Sequence, residues 1–412
     1  MGLVVQKFGG TSLATVERIH RAARRAVKSK LEGNRVVLVV SAMGKSTDEL
    51  LSLARGICSD PPKRELDMLL TTGEQVSIAL MAMAIHAAGH EAISLTAGQL
   101  GLFTDGAHTR ARIQSISRDR LDRELSAGKI VIVAGFQGID SAGEITTLGR
   151  GASDTTAAAL AAVLQARACE IYTDVDGVYT TDPRVVPQAR KIDSISYDVM
   201  LEMAAAGAGV MHSRAIEFGT KFGVPIHVRS SLTDAEGTMI TGETPGMEAV
   251  AVRGVTLKED LAMVTLNGVP NHPGIAARIF ADVARHNIMV DDIVQNILDD
   301  GKQANLGFST EESDAQEAEV VCQDLLQKLG IGSVHVDRGV SKVSAIGVGM
   351  RTHTGIASTM FDALSEAKVN IANISTSEIV ISCIVRREDG PTALRYLHAA
   401  FGLDKPDDAQ DG

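Results

Sequence analysis

The sequence predicts a layered α/β domain with a mainly parallel central sheet, followed by two small repeated α/β modules. Two observations support this fold class. Short apolar strands alternate with longer helices over the first ~240 residues, and a different pattern occurs twice near the C-terminus. With 412 residues, the chain is long enough for two or three domains of roughly 150 residues each.

The predicted strands are runs that are mostly apolar on both faces, as parallel strands covered by helices are. They are Leu3–Gln6, Arg35–Val40, Ala92–Leu95, Ile130–Ala134, Glu170–Thr173 and Pro225–Val228. Between them, Thr15–Lys28 has one apolar and one polar side, which predicts an amphipathic helix. Gln75–Ala88 is almost wholly apolar and Thr155–Ala168 is rich in alanine, so both are predicted to be buried helices.

The alternating pattern ends at a polar stretch that contains Gly242, Pro245 and Gly246, which predicts a linker. Beyond it, HPGIAARIF from His272 matches HTGIASTMF from His353, an offset of 353 − 272 = 81 residues. Each copy has the pattern of a strand, a glycine-containing loop, a helix and a strand, which indicates a duplicated βαβ-type module. The predicted organisation is a first domain at 1–240, a linker at 241–252, modules at 253–338 and 339–404, and a disordered acidic tail at 405–412.

The composition excludes several classes of function. The net charge is 40 − 51 = −11 and aromatic residues are 3% of the chain, so nucleic-acid binding is not expected. No apolar run approaches the ~20 residues that cross a bilayer, and the N-terminus lacks the pattern of a secretory signal. The four cysteines are widely spaced, which predicts neither disulfides nor a zinc site. We therefore expect a cytoplasmic protein.

The first predicted strand ends in a turn that can hold an anion. Gly9 and Gly10 allow a ligand to approach the backbone closely, and Lys7 supplies a positive charge. Thr11 or Ser12 is predicted to cap the helix that follows, whose N-terminus favours negative charge. A plain strand-to-helix turn with a surface lysine would have a similar sequence, so the motif alone leaves both interpretations open.

Two further segments carry charges that suit a small ligand. Arg150 lies between two glycines shortly before a predicted helix, and guanidinium groups bind carboxylates and phosphates through paired hydrogen bonds. Ser153 or Asp154 is predicted to cap that helix. Glu74, at the start of an apolar helix, is placed to accept a ligand ammonium. A capped turn with a solvated arginine, and a carboxylate that only complements the helix dipole, are the alternatives.

The segment Ile171–Arg184 follows another strand end. Thr173 and Asp174 terminate the strand, and Tyr179 and Arg184 follow a turn, near the edge of the sheet where open α/β folds bind ligands. Together the four segments predict one cleft for an anion and a small molecule of mixed charge.

These segments resemble the aspartokinase family, whose members have an amino-acid kinase domain and C-terminal ACT regulatory modules. The matches include KFGGTS at Lys7, LGRGASD at Leu148 and TDVDGVYTTDPR at Thr173. The resemblance covers the chain to about residue 403. It implies an αβα sandwich followed by two ferredoxin-like βαββαβ modules. It also implies transfer of the γ-phosphoryl group of ATP, with Mg²⁺ on the nucleotide, to the β-carboxylate of L-aspartate, the first step toward lysine, threonine, methionine and isoleucine.

The resemblance implies roles for single residues. The catalytic residues would be Lys7, Arg150 and Asp154. The aspartate site would contain Ser41, Thr47, Glu74, Arg150 and Ser153. The nucleotide site would contain Lys7, Phe8, Gly9, Gly10, Thr173, Asp174, Tyr179 and Arg184. The acceptor carboxylate, with a pKa of ~3.9, is ionised at neutral pH, so positioning and charge neutralisation are expected in place of a general base. No metal site formed by protein side chains is expected.

The ACT pair implies feedback control by lysine and/or threonine, and pairing of the modules in a homodimer. The candidate effector contacts are Asn271, His272, Pro273, Gly274, Ile275, Ala276, Met289, Asp291 and Gln295. A ligand-free role of the modules in dimerisation is the alternative.

Two residues depart from the family pattern. Ala152 replaces a glycine and would cost ~1 kcal/mol if that residue needs a positive φ. Gly209 stands where many members have a lysine that contacts the nucleotide, which predicts weaker ATP binding or a substitute cation such as Arg214. Two other functions stay open: a kinase of the same fold that phosphorylates glutamate or UMP, and a non-catalytic amino-acid sensor.

Overall fold

The structure is a computed structural model that describes residues 2–149, 151–242, 252–299, 301–348, 350 and 355–405. Two compact units are present. The first comprises Met1–Tyr179, Lys191–Ala204 and Gly209–Met247, and the second comprises Thr180–Arg190, Ala205–Ala208 and Glu248–Gly412. Most of the predicted linker and all but one residue of the predicted acidic tail lie outside the described residues.

The strands before residue 242 are β1 (Leu3–Phe8), β2 (Arg35–Val40), β3 (Ala92–Leu95), β4 (Leu102–Thr104), β5 (Ile113–Ile116), β6 (Ile130–Ala134), β7 (Gln137–Ile139), β8 (Ile145–Thr147), β9 (Ala168–Thr173), β10 (Val178–Tyr179), β11 (Lys191–Ile192), β12 (Ser194–Ser196), β13 (Ile226–Ser230) and β14 (Thr238–Thr241). The helices are α1 (Val16–Leu31), α2 (Ser46–Ile57), α3 (Lys63–Leu70), α4 (Thr72–Ala87), α5 (Ala97–Leu100), α6 (Asp119–Ser126), α7 (Ala152–Val163), α8 (Tyr197–Ala205) and α9 (Ser213–Phe222).

The central sheet of the first unit has the strand order β12-β14-β13-β9-β1-β2-β6-β3. The pairs from β13 to β3 are parallel, whereas β14 is antiparallel to β13. Helices α1 and α4 pack against alternate side chains of β1, β2 and β6, and α7 packs against β1, β2 and β9. The central strands are apolar throughout because helices bury them. The predicted αβα sandwich with a mainly parallel sheet is confirmed.

A second, four-stranded sheet of order β5-β4-β7-β8 lies in the same unit and ends at Thr147, shortly before α7. Its last strand therefore leads directly into the glycine-rich segment that the sequence singles out. Helix α7 is shorter than predicted and ends at Val163. The expected extension to Ala168 is wrong because Gln165 adopts a left-handed φ of 53° and β9 already begins at Ala168.

One stretch of the described residues, Lys63–Ala87, is long and apolar enough to cross a membrane by length and composition. The expectation that no such stretch exists is therefore wrong. Half of the most apolar window is buried, and Ile78, Met81 and Ile85 of α4 are part of the core beside the central sheet. A core helix of a soluble protein passes the same test, so the stretch is weak evidence for a membrane.

The second unit contains β15 (Gly254–Pro270), β16 (Asp291–Ile297), β17 (Gln303–Glu311), β18 (Ser333–Ile346), β19 (Asn373–Thr376) and β20 (Val380–Arg386). Its helices are α10 (Ile275–Arg285), α11 (Ala315–Leu329), α12 (Ile356–Glu366) and α13 (Gly390–Ala400). The strands form one antiparallel sheet of order β16-β17-β15-β18-β20-β19.

The duplication is visible in this unit. Helices α10 and α12 begin and end 81 residues apart (356 − 275 and 366 − 285), and each follows a left-handed glycine, Gly274 with φ 98° or Gly355 with φ 105°. The predicted duplication of a small α/β module is therefore present in the structure. The matching His353 lies outside the described residues. Strands β15 and β18 run through both modules, so β18 crosses the expected boundary at 338/339.

The second unit also includes residues 180–190, which the sequence places within the first domain. Val186 is buried in the same apolar core as Val255, Leu394 and Leu397. Thr180 lies within hydrogen-bonding distance of the imidazole of His398, at 3.0 Å. Apolar packing therefore assigns this short segment to the C-terminal unit. Such packing cannot be predicted from a local sequence motif.

Candidate active site

The predicted site residues of the first unit lie where the parallel strands β1, β2, β6 and β9 end. The backbone joins these ends: the amide of Ser41 donates to Phe8, and that of Gly9 donates to Tyr172, at 3.2 and 3.3 Å between nitrogen and oxygen. Phe8 also stacks on Tyr172, with ring centroids 4.7 Å apart. Parallel strands bring their carboxyl ends to one edge of a sheet, and that edge is where α/β folds bind ligands.

Lys7 and Asp154 form an ion pair at this edge, with Nζ 2.5 Å from Oδ1. Both side chains are largely buried, at 12% and 7% exposure, so each charge depends on the other. The backbone N–H of His212 donates to the second oxygen of Asp154 at 3.2 Å. Residues 147 positions apart in sequence (154 − 7) thus form one charged centre.

Glu74 lies in the first turn of α4 and is 3% exposed. Its Oε1 accepts a hydrogen bond from the backbone N–H of Ala42 at 3.0 Å. Its Oε2 is buried and has no hydrogen-bond partner among the described residues. Burial raises the pKa of the Glu74 carboxyl to about 7, although the backbone hydrogen bonds lower it. A buried oxygen without a partner at a ligand-binding edge suits a cationic ligand group.

The two predicted helix caps are wrong. Helix α1 begins at Val16 and its N-cap is Thr15, whose side chain accepts from the amide of Arg18, because Thr11–Leu13 form a separate 3₁₀ turn. Helix α7 begins at Ala152, so Ser153 and Asp154 lie in its first turn and Gly151 is the N-cap.

The strand-end turns pack closely on one another. A Cβ on Gly10 would lie 2.8 Å from the carbonyl oxygen of Ala42, and one on Gly73 would lie 2.8 Å from the Ala42 Cβ. The amide of Gly44 donates to Gly10 at 2.9 Å. Neither Gly9 nor Gly10 has a positive φ, so the structure gives close packing as the reason for glycine at position 10.

Three of the remaining predicted aspartate-site residues lie in the described part of the chain. Ser41 follows β2 and is half-buried. Thr47 lies in the first turn of α2, three residues after Gly44. Ser153 is buried against Gly135, which follows β6. Arg150 lies outside the described residues; its neighbours Gly149 and Gly151 have φ of 92° and 72°.

Ala152 requires no strained backbone. It is fully buried at the start of α7 and is not among the described residues with positive φ. The left-handed positions belong to the flanking glycines, so the conditional cost of alanine at 152 does not apply.

The guanidinium of Arg214, the predicted substitute for a lysine at 209, contacts the backbone of the first unit. It donates to the carbonyls of Leu148 and Ala111, at 2.8 and 3.3 Å. Burial, followed by the charge of Arg112, lowers the pKa of Arg214. The residue therefore stabilises the segment before Gly149. Gly209 itself is exposed, and no described atom lies within 4 Å of a Cβ placed there.

The predicted nucleotide residues are divided between the units. In the first unit, Thr173 donates to the exposed Asp174 at 3.1 Å, and the Tyr179 hydroxyl donates to Asp176 at 3.1 Å. Burial and the nearby Asp176 raise the pKa of Tyr179. Arg184 belongs to the second unit, where its exposed guanidinium pairs with Asp182 at 2.7 Å. Its role in nucleotide binding stays a prediction.

The predicted effector residues lie together in the second unit. Gln295 of β16 donates to the side chain of Asn271 at 3.4 Å, which joins the two halves of the set. The N-cap of α10 is Gly274, and no described side chain caps this helix. Asp291 pairs with Lys342 at 2.5 Å. The rest of the set comprises His272, Pro273, Ile275, Ala276 and the exposed Met289.

Comparison with known proteins assigns the family. Residues 2–230 match the amino acid kinase family, and residues 343–401 match an ACT domain. The chain is 49% identical to an aspartokinase of Bacillus sp. (strain MGA3) over 403 residues, which are 98% of both chains. The chain belongs to the aspartokinases. It is 47% identical to the aspartokinase of Pseudomonas aeruginosa over 408 residues, 98% of this chain and 99% of that protein.

Solved aspartokinases share the fold over nearly the whole chain. E. coli aspartokinase III in complex with aspartate and ADP, in the R-state, matches with a TM-score of 0.85 at 28% identity and covers 97% of this chain and 99% of its own. The T-state of E. coli aspartokinase III, with lysine and aspartate, has a TM-score of 0.73 at 26% identity and covers 96% and 99%. The resemblance seen in the sequence is confirmed: this aspartokinase chain is an ATP-dependent kinase of aspartate with ACT regulatory modules.

Proposed function

We propose that the edge where β1, β2 and β9 end is the site at which the γ-phosphoryl group of ATP is transferred to the β-carboxylate of aspartate. The observation that carries this proposal is the buried, unpartnered Oε2 of Glu74. The substrate ammonium would supply the missing donor, since an ionised carboxylate and an ammonium form a strong charge-assisted hydrogen bond. Arg150, in the glycine-flanked segment next to Ser153, would bind a substrate carboxylate; Ser41 and Thr47 would line the same pocket.

The chemistry requires an anion to approach a triphosphate, so charge neutralisation and alignment supply most of the rate. Lys7 would neutralise the transferring phosphoryl group. Asp154 fixes the position of its ammonium at 2.5 Å and thereby keeps the cation at the strand end before the nucleotide arrives. The backbone at Gly9 and Gly10 would let the phosphate chain come close. No side chain has to remove a proton, because the acceptor carboxylate is already ionised.

We infer that Thr173, Asp174 and Tyr179, with Phe8, bind the nucleotide. Mg²⁺ would arrive on the phosphates of ATP and would neutralise their charge. Among the described residues, no three His, Cys, Asp or Glu side chains converge on one point, and one oxygen of Asp154 is already paired with Lys7. This arrangement is compatible with a Mg²⁺ ion whose ligands come mainly from the nucleotide phosphates.

We infer that the second unit binds lysine and/or threonine as effectors, through Asn271–Ala276 and the facing residues of β16. The uncapped N-terminus of α10 suits the carboxylate of an amino acid. A solved relative, E. coli aspartokinase III, is known with lysine and aspartate, which supports an amino-acid effector. We further propose that the ACT modules pair in a homodimer and that the enzyme works in the cytoplasm.

The test is to trap the product with hydroxylamine. The protein is incubated with MgATP and aspartate, with lysine or threonine added in parallel, and aspartyl hydroxamate is measured. We expect product from the natural chain and none from Lys7→Met. The exposed Lys221 on α9 provides the matched control, since Lys221→Met should retain activity. Hydroxamate formed with glutamate in place of aspartate would contradict the substrate, as would release of ADP with UMP but not with aspartate. No response to lysine and threonine, alone or together, would contradict the regulation.

A further inference from the structure

Asp67 is a fully buried carboxylate outside the set of residues considered so far. It lies in α3 and is 0% exposed. Its Oδ1 accepts from the hydroxyl of Thr147 at 2.6 Å. The amide of Thr109 donates to both carboxylate oxygens, at 3.2 and 3.0 Å. Nδ1 of His108 lies 2.8 Å from Oδ2. Three residues from two distant segments thus satisfy one buried charge, which would otherwise be strongly unfavourable.

The partners of Asp67 lie beside the glycine-rich segment that precedes α7. Thr147 is the last residue of β8, and Gly149 follows two residues later. Thr109 is a non-glycine residue with a left-handed φ of 68°, a conformation that persists only where neighbouring contacts hold it. Its carbonyl oxygen would lie 3.4 Å from a Cβ on Gly149. The carboxylate therefore fixes both the strand end and the loop that packs against the glycine-rich segment.

The helix that carries Asp67 is also connected to the other wall of the site. α3 ends at Leu70, and α4 begins at Thr72 with Glu74 in its first turn. Asp67 and Glu74 are therefore seven residues apart (74 − 67), on two consecutive helices. Through its hydrogen bonds to Thr147 and Thr109, Asp67 joins the Glu74 side of the site to the segment between β8 and α7.

We propose that Asp67 is a positioning residue for aspartate: it holds Thr147 and the left-handed Thr109 so that the start of α7, with Ser153, faces Glu74 at the spacing the substrate requires. Asp67 does not touch the reacting atoms. Its loss should therefore weaken aspartate binding selectively, because the strand ends that bind ATP do not depend on these hydrogen bonds.

The test compares steady-state kinetics of two variants with those of the natural chain. Asp67→Asn keeps the size of the side chain but places an amide nitrogen opposite the backbone N–H of Thr109. Thr147→Val keeps the shape of Thr147 and removes only its hydroxyl donor. We expect the KM for aspartate to rise about tenfold in the first variant and about threefold or more in the second, as for loss of hydrogen bonds to a buried charge. The KM for ATP should stay within about twofold.

Glu124 provides the matched control. It is a buried carboxylate at 6% exposure, it forms ion pairs with Lys129 and Arg120, and it lies beside the amino end of β6, away from the strand ends that form the site. Glu124→Gln should lower the thermal midpoint without changing either KM. The role of Asp67 would be overturned if both of its variants changed the two KM values equally, or only lowered the thermal midpoint as the control does. The inference rests on aspartate as the acceptor; failure of the natural chain to phosphorylate aspartate would overturn that activity and this role together.

Discussion

The raised pKa of Glu74 predicts how aspartate use depends on pH. Folding raises the pKa of Glu74 from 4.5 to about 7. At ~1.4 kcal/mol per pKa unit, the folded protein disfavours the ionised carboxylate by about 3 kcal/mol relative to the unfolded chain. Burial dominates over the backbone hydrogen bonds from Ala42 and from Glu74 itself, both of which favour the ionised form. In the free enzyme, Glu74 is therefore largely protonated at pH 6 and largely ionised at pH 8.

The substrate ammonium binds only the ionised carboxylate, so kcat/KM for aspartate should follow this titration. With a pKa of about 7, about one tenth of the enzyme is ionised at pH 6, and kcat/KM should be about tenfold lower there than on the plateau near pH 8. Glu74→Gln removes the charge but keeps the size. We expect kcat/KM about 10- to 150-fold below the plateau, which corresponds to a charged hydrogen bond of about 1.5–3 kcal/mol.

The assay measures kcat/KM for aspartate at saturating MgATP from pH 5.5 to 8.5 for both proteins. The γ-phosphate of ATP is common to both proteins, and so is His212, whose pKa is lowered by burial and by the charge of Arg214. Only the difference between the profiles reports Glu74. The reasoning is refuted if the natural chain has a flat profile between pH 6 and 8, or if Glu74→Gln keeps the full tenfold change.

The same residue predicts a second pH effect, on stability. Because the folded pKa of Glu74 lies above its unfolded value, its contribution to stability is fully present below about pH 4.5 and is lost as the pH rises through about 7. Relative to the natural chain, Glu74→Gln should therefore gain up to about 3 kcal/mol of unfolding free energy between pH 4.5 and 8. Denaturant unfolding at the two pH values measures this difference, and an equal difference at both would contradict it.

Three further substitutions test the close packing at Gly10, the nucleotide contact at position 209 and the buried ion pair of Lys342. Gly10→Ala brings a Cβ to 2.8 Å from a backbone carbonyl oxygen; it should lower the unfolding free energy by about 1–3 kcal/mol and reduce kcat, whereas Gly56→Ala in the open interior of α2 should not. Gly209→Lys enters open space and should lower the KM for ATP without affecting stability; an unchanged KM would reject a role for that cation. Lys342→Met leaves Asp292, with a side chain 8% exposed, without its cation, so denaturant unfolding should show a loss of about 3–5 kcal/mol; a change below about 1 kcal/mol would contradict the importance of the pair.

Much of the fold follows from local sequence patterns. The runs Arg35–Val40, Ala92–Leu95 and Ile130–Ala134 form strands with the predicted bounds, because continuous apolar segments must be covered on both sides. The repeat in the sequence corresponds to two helices 81 residues apart, each preceded by a left-handed glycine. The sequence also places most of the site, since Lys7, Ser41 and Thr173 each lie at the end of a parallel strand.

The helix caps and the roles of several side chains could not be predicted from local sequence patterns. A cap depends on which residue leaves the helical φ,ψ region, and Thr11, Ser12 and Thr15 are equally suitable by residue type. Arg214 has the charge of a nucleotide ligand, but its guanidinium donates to backbone carbonyls that only the folded chain brings near. Asp67 has no motif around it, and a carboxylate in a helix that carries other charged residues shows its role only when its donors are seen.

The sequence by itself determined the alternation of central strands and helices in the first domain, the duplicated C-terminal module and the family, because periodicity and motifs are properties of neighbouring residues. Only the tertiary structure decided that Lys7 pairs with Asp154, that Glu74 has a pKa of about 7, and that residues 180–190 belong to the C-terminal unit. The physical reason is the same in each case. Desolvation, ion pairing and apolar packing depend on distances between residues far apart in the chain, and those distances exist only after folding.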